Sequence, residues 1–290
     1  MQDLRIVLLG TSSGTPTRTR NVSSLAMILD GRVLLFDCGE GTQHQLLRAP
    51  VRTGAIEAIF VSHLHGDHVY GLPGLLATLS MNGRTRPLDL VGPESLRAYV
   101  ETTLATSFHH PSFEIRITTP PYRGHGFTVT AAPLEHSVEC LGYCVIEDDR
   151  PGHFDVARAR ALGIPPGPLY GELARAGDPR VCGPPRRGRR IAFVTDTRPC
   201  ASAVALAHEA DALIHESTYG EELRTEAAER FHSTAREAAR VASDARVQRL
   251  ILTHFSARYG DVAPLVEEAR EVFPNTIAAD DLLEVHVAAR

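Results

Sequence analysis

Lysine is absent: all 30 basic residues of the 290-residue chain are arginine. A GC-rich coding sequence produces such a bias, so it assigns no function. It does mean that any phosphate contact here uses guanidinium forks, which grip phosphate bidentately where an ammonium offers a point charge. Cysteine is scarce as well. The five that occur (Cys38, Cys140, Cys144, Cys182, Cys200) are scattered and form no C-x-x-C pair, which excludes a disulfide framework and points to reduced thiols in a cytoplasm. No apolar run approaches the roughly 18 residues of a membrane span. The start, Met1-Gln2-Asp3-Leu4-Arg5, lacks a basic region followed by a long apolar stretch, so no secretory signal is expected. Excess positive charge is missing too, and a formal net charge of −5 does not advertise nucleic-acid binding.

What is present suits a folded chain with a sizeable core: 43% of residues are hydrophobic and 22% charged. Short β-rich runs alternate with amphipathic segments. Leu4–Gly10, Ser24–Leu29 and Val33–Asp37 read as opening strands, with Asp30-Gly31 as a hairpin turn. Ile59–Ser62, Thr128–Pro133, Leu141–Ile146, Ile191–Thr195, Leu213–His215 and Leu250–Thr253 read as further strands. Helical spacing covers Glu94–Thr106, Thr234–Ala242 and Pro264–Val272, and Val69–Ser80 has the character of a helix start. Strands followed by helices in both halves predict two sheets between helical layers. Asp148–Arg190 breaks the pattern, being rich in Pro, Gly and Arg, and reads as a long loop. A loop of that length inside a domain is functional or disordered.

The densest chemistry lies in His63-Leu64-His65-Gly66-Asp67-His68, directly after the strand Ile59–Ser62. Two imidazoles two residues apart on extended backbone point the same way and can grip one ion. Gly66 permits a tight turn that swings Asp67 and His68 toward a second. Further ligand types stand just beyond later strands: His136, Asp196 and His254. Loops after successive strands gather at one sheet rim, so these residues are candidates for one shared metal centre.

This pattern, His-x-His-x-Asp-His followed by His, Asp and His in that order, resembles the metallo-β-lactamase superfamily. The resemblance implies an α/β fold, an αββα sandwich of two mixed sheets between helical layers, with two zinc ions at the sheet rim. It also implies that His63, His65 and His136 bind one ion, that Asp67, His68 and His254 bind the other, and that Asp196 bridges them. No cysteine stands at a ligand position, which speaks against the β-lactamases that use one. Fold alone does not select a reaction.

Further segments resemble the ribonuclease Z family of tRNA 3′-processing endonucleases, across nearly the whole chain. Pro16-Thr17-Arg18-Thr19-Arg20-Asn21 matches a Pro-x-Lys-x-Arg-Asn loop, with Arg18 in place of lysine. That loop implies contacts from Arg18, Arg20 and Asn21 to the 3′ end of the acceptor stem. Asp37-Cys38-Gly39-Glu40-Gly41-Thr42-Gln43 is similar to a family scaffold, with Asp37 supporting the ligands from behind. Gly152-His153-Phe154-Asp155 through Gly163-Ile164-Pro165-Pro166-Gly167-Pro168 resembles a protruding, flexible arm that clamps the tRNA body. The chain is therefore expected to be one domain, residues 1–290, with 149–180 inserted as the arm. Gly163, Pro165, Gly167 and Pro168 would shape it, and Arg158, Arg160 and Arg175 would meet phosphates. The stretch Ala176–Arg190 is shorter than the family pattern.

His215-Glu216-Ser217-Thr218 resembles the family's His-Glu-Ala-Thr motif, His232-Ser233-Thr234 its His-Ser-Thr motif, and Ala279-Asp280-Asp281 its Ala-x-Asp motif. Thr195 stands where glycine is usual. By resemblance His232 is catalytic, Glu216 orients it, and Asp67 orients or deprotonates the attacking water. Cleavage of precursor tRNA, a homodimer, a cytoplasmic location and no membrane association are implied. Two other readings are a small-molecule hydrolase of this fold, arylsulfatase-like or a cyclic-nucleotide phosphodiesterase, and a non-catalytic RNA-binding module. The arm argues against the first, and the complete ligand set against the second.

Overall fold

Along Leu4–Gly10 every second side chain faces a different layer: Leu4, Ile6 and Leu8 pack between two sheets, while Val7 and Leu9 pack under helices. Apolar residues on both faces are what a strand covered on both sides requires. The computed structural model describes residues 4–289. Met1, Gln2 and Asp3, which belong to the start read as lacking a secretory signal, lie outside them.

The first sheet runs, in spatial order, Glu284–His286, Leu4–Gly10, Ser24–Leu29, Arg32–Phe36, Ile56–Phe60, Leu88–Val91 and Ile115–Thr118. The second runs Thr276–Ala278, Leu250–Thr253, Ala212–Glu216, Arg190–Val194, Leu141–Glu147, Phe127–Pro133 and Tyr122–Gly124. Each sheet joins an antiparallel half to a parallel half. Asp30 and Gly31 both take positive φ, 49° and 80°, as the hairpin between Ser24–Leu29 and Arg32–Phe36 demands.

Aromatic residues fill the space between the sheets. Phe36 stacks on Phe60 at 4.8 Å, and Tyr143 meets both edge-on, a geometry worth about 0.5–1.5 kcal/mol per pair beyond area burial. Leu72–Met81 and Ser95–Thr106 cover the outer face of the first sheet. Ala201–Leu206, Ala235–Asp244 and Ala263–Arg270 cover the second. Thr234 caps Ala235–Asp244 through a capping box with Glu237, and the face Ala235, Ala238, Ala239, Ala242 repeats at i, i+3, i+4, i+7. The architecture is the αββα metallo-β-lactamase sandwich.

The segment expected to be a loop is not one. Val156–Ala161 and Pro168–Ala176 form two short helices, the first capped by Asp155 and the second opened by Pro168. Between them lies a small apolar cluster of Ala159, Val181 and Cys182 with Phe154, Ile164, Tyr170 and Leu173. Composition concealed this because Pro and Gly mark helix ends here, not an absence of helix. Two more departures are local. The helix expected to start at Val69 is split into Gly66–Val69 and Leu72–Met81, and strands such as Leu88–Val91 and Glu284–His286 are too short to carry a clear alternation.

Candidate metal centre

The parallel strands Ile56–Phe60, Arg190–Val194, Ala212–Glu216 and Leu250–Thr253 end at one rim, and the chemistry-bearing side chains follow those ends. The rim is also where the backbone leaves ordinary conformations. Asp37, Asp196, Phe231 and His254 adopt positive φ of 55°, 46°, 60° and 59°. Non-glycine residues held there cost energy that the surrounding fold must offset, and such positions cluster at functional sites.

Two nests of side chains meet at Asp196. Its Oδ2 lies 3.7 Å from His63 Nε2 and 3.8 Å from His136 Nε2, and the latter is 3.2 Å from His65 Nδ1. Its Oδ1 lies 3.3 Å from His68 Nε2 and 3.1 Å from His254 Nε2, and both of these face Asp67 Oδ2 at 3.3 and 3.4 Å. The sets His63, His65, His136, Asp196 and Asp67, His68, Asp196, His254 each bring donor atoms within 4.8 Å of one another. All seven residues singled out as ligands therefore stand together.

Whether these residues suit metal ions can be judged from their hydrogen bonds. The Nε2 atoms of His63, His68 and His254 are buried without a hydrogen-bond partner, a state that costs free energy unless something electropositive is held there. Their Nδ1 atoms are all engaged. His68 Nδ1 meets Asp37 Oδ2 at 2.8 Å, His63 Nδ1 meets Ser62 Oγ at 2.9 Å, and His254 Nδ1 meets Thr218 Oγ1 at 2.9 Å. His136 Nδ1 lies 3.2 Å from the Phe231 carbonyl. Imidazoles oriented through one nitrogen and bare at the other fit metal ligation.

The buried charges in the nests shift one another strongly. Burial opposes charge on His68, yet Asp196, Asp37 and Asp67 hold it well above its ordinary range. Burial and then the neighbouring His68 push His63 well below. Despite burial, His254 and His68 hold Asp196 far below the carboxylate range, and His68 does the same for Asp67. The buried carboxylates are thus kept ionised by the imidazoles around them.

Beside the nests, His232 Nδ1 lies 2.9 Å from Glu216 Oε1. Burial lowers His232, but Glu216 outweighs it and carries the imidazole up to about 9. His232, Asp67, His65, His136 and His254 line one cleft of about 490 Å³ with Gly14, Arg230 and Phe231.

Sequence reasoning missed several contributors. The Gly14 backbone N–H donates to Asp67 Oδ2 at 2.8 Å. Ser62 and Thr218 join ligands to carboxylates, and Thr195 donates to Asp196 Oδ1 at 2.8 Å. A signal existed for Ser62, the polar end of an apolar strand. None existed for Gly14.

Two of the three residues expected to meet the tRNA 3′ end make contacts within the chain. Arg18 is exposed, but the Arg20 guanidinium donates to Thr11 Oγ1, the Ala279 carbonyl and Asp280, each at 2.7 Å, and lies 4.9 Å over the Phe255 ring. The Asn21 amide donates to the Glu40 carbonyl and its backbone N–H to Asp281. Both residues are tied inward because the Asp280-Asp281 segment folds against them. Gly163, Pro165, Gly167 and Pro168 lie in the arm, away from the cleft. The arm leaves from Glu147 and returns to Arg190, at the sheet rim opposite the ligands.

Comparison with known proteins agrees with the geometry. A family described as Anti-Pycsar protein Apyc1 matches residues 4–118, and a Beta-lactamase superfamily domain matches residues 182–255. Ribonuclease Z of Cyanothece sp. (strain PCC 7425 / ATCC 29141) is 48% identical over 97% of this chain and 94% of its own. The chain belongs to the ribonuclease Z family. Ribonuclease Z of Methanosarcina acetivorans is 42% identical over 99% of both chains. Among solved structures, human tRNase Z, short form (ELAC1), superposes with a TM-score of 0.73 at 28% identity, over 98% of this chain and 99% of that one. The metallo-β-lactamase fold protein YhfI from Bacillus subtilis shares the fold at 20% identity and a TM-score of 0.73, over 98% and 99%. Alignments with ribonuclease Z relatives run to 302 and 309 positions, more than this chain's 290 residues, so those relatives carry residues without a counterpart here.

Proposed function

We propose that this member of the ribonuclease Z family is a zinc-dependent endoribonuclease that cuts precursor tRNA on its 3′ side. The tRNA keeps a 3′-hydroxyl and the trailer a 5′-phosphate. The observation that carries the reading is Asp196 dividing its two carboxylate oxygens between two histidine nests, beside the His232–Glu216 pair.

His63, His65 and His136 would hold one zinc ion, Asp67, His68 and His254 the other, and Asp196 both. Two such ions, when bound, supply positive charge for phosphate oxygens and lower the pKa of water. The residues of the chain do the rest. Asp67, ionised and fixed by the Gly14 N–H, orients the attacking water or takes its proton. His232, protonated at neutral pH and aimed by Glu216, stabilises phosphate charge or donates a proton to the departing 3′ oxygen. Arg18 is the free guanidinium of the 3′-end loop, while Arg20 and Asn21 shape that loop.

The arm supports a substrate larger than a nucleotide. Arg158, Arg160 and Arg175 are exposed on it, and Gly163, Pro165, Gly167 and Pro168 shape its tip and second helix. The arm springs from the rim opposite the cleft, and seven-residue strands span about 20 Å. A homodimer in which one subunit's arm holds tRNA at its partner's cleft accords with that separation. A cytoplasmic location accords with the five unpaired cysteines. No helix among the described residues is long and apolar enough to cross a membrane.

The deciding experiment is digestion of a 3′-extended precursor tRNA by zinc-loaded protein, with both product ends mapped and zinc counted per chain. Hydrolysis of bis(p-nitrophenyl) phosphate without tRNA cleavage would replace the reading by a small-molecule phosphodiesterase.

A further inference from the structure

Glu216 holds more than His232. Its Oε1 accepts the Thr197 backbone N–H at 2.8 Å and faces His232 Nδ1 at 2.9 Å. Its Oε2 accepts the Thr218 N–H at 3.2 Å and the Thr218 hydroxyl at 2.6 Å. The same hydroxyl lies 2.9 Å from His254 Nδ1. We propose that Thr218 is a positioning residue whose hydroxyl fixes the tautomer of His254 and ties it to the Glu216–His232 pair. The inference rests on the reading of His254 as a zinc ligand.

A hydroxyl has a single proton to donate. Backbone N–H groups reach both Glu216 oxygens, so the carboxylate is an acceptor there, and the 2.6 Å contact claims the hydroxyl proton. Thr218 can then only accept from His254. Nδ1 of that ring must therefore carry a proton, which makes Nε2 the nitrogen left to face an ion. That Nε2 is the buried, unpartnered atom 3.1 Å from Asp196 Oδ1.

A second carboxylate, Asp37, repeats the device across both nests. Asp37 accepts the Ser62 N–H at 2.7 Å, meets His68 directly at 2.8 Å, and reaches His63 through the Ser62 hydroxyl, with both hydroxyl contacts at 2.9 Å. Each carboxylate therefore governs one histidine directly and another through a hydroxyl. The difference is functional. Both histidines on Asp37 belong to the ligand nests, whereas Glu216 couples one ligand, His254, to one non-ligand, His232.

The test begins with ring ¹⁵N–¹H correlation spectra of the metal-free wild-type chain, in which His254 should carry a proton on Nδ1. Thr218→Val should mix the tautomers, weaken zinc binding in a chelator competition about 10–100-fold, and shift the alkaline limb of kcat. Thr218→Ser should restore zinc affinity to within about threefold of wild type. Ser62→Ala should weaken zinc binding without moving that limb. A His254 without a proton on Nδ1 in the wild-type chain overturns the proposal, and this holds even if Thr218→Val fails to fold. Unchanged zinc affinity in a folded Thr218→Val, or Thr218→Ser losing as much as Val, overturns it as well. A wild-type chain that binds no zinc sinks the ligand reading instead.

Discussion

His232 Nδ1 and Glu216 Oε1 stand 2.9 Å apart, with the carboxylate fully buried and the imidazole opening onto the cleft. The pair is mutually stabilised: burial pushes Glu216 up, but His232 brings it below its ordinary range, and Glu216 raises His232 to about 9. His232 belongs to neither ligand nest. His232→Ala should keep both zinc ions and the fold while kcat falls about 10²–10⁴-fold, the usual worth of a positioned acid–base group. A protonated His232 is lost as pH rises through its pKa. Glu216→Gln removes what raises that pKa and leaves burial, which lowers it, so the alkaline limb of kcat should move to lower pH. An unmoved limb would mean that Glu216 is only a structural carboxylate.

Asp196 is the one residue shared by both nests. Asp196→Ala should lower zinc content at both positions and reduce turnover by far more than tenfold, whereas His68→Ala should mainly empty one. Elemental analysis of purified variants checks both. Two zinc ions with near-normal turnover in Asp196→Ala would remove the ligand assignment.

The grouping of the seven candidate ligands was legible because a compact motif and three strand ends carry them, and strand ends are visible as apolar runs. Contacts that close over long sequence separations were not. Arg20 reads as an exposed cation until Asp280, 260 residues away, folds against it. The left-handed backbone of Asp37, Asp196, Phe231 and His254 has no local signal either, since nothing but the assembled rim holds those residues there. The two helices of the arm were missed for another reason. They span only six and nine residues, packed on a cluster too small to impose a clear period.

Glu147 and Arg189 form a buried, two-pronged pair at the neck of the arm, with Nε–Oε2 and NH2–Oε1 both at 2.6 Å. Arg189 also donates to the Val287 carbonyl, tying the neck to the C-terminal strand. Burial pushes Glu147 up, but Arg189 and Arg150 outweigh it, so its folded pKa is depressed. A depressed carboxylate contributes stability that is present above its unfolded pKa, near 4.3, and lost as pH falls through the folded value. Thermal denaturation should therefore show an acid limb below about pH 4.3 that Glu147→Gln flattens. Arg189→Ala leaves a buried carboxylate with Arg150 and the backbone N–H of residue 189, and should cost about 3 kcal/mol. An acid limb unchanged by Glu147→Gln would assign the acid sensitivity elsewhere.

The arm can be separated from the chemistry at its neck. Gly152 and Gly183 lie so close that a Cβ on Gly152 would overlap the Gly183 carbonyl, and Gly183 N–H donates to His153 O at 3.0 Å. A short Gly/Ser linker replacing residues 153–182 would remove both arm helices with their entire apolar cluster. A cut confined to Phe154–Arg175 would strand Val181 and Cys182 in solvent. Every proposed ligand, His232 and the Glu147–Arg189 pair remain. Hydrolysis of bis(p-nitrophenyl) phosphate needs only the cleft and should stay within about threefold. Cleavage of precursor tRNA should weaken strongly through KM, because binding remote from the reacting phosphate contributes equally to ground and transition states. Its salt dependence should also flatten, since losing the phosphate contacts of Arg158, Arg160 and Arg175 releases fewer counterions on binding. Equal losses on both substrates would mean that the segment supports the sandwich. Unchanged tRNA cleavage would mean that the arm holds no substrate, and specificity for tRNA would then have to arise elsewhere, in the cleft or in the Arg18 loop.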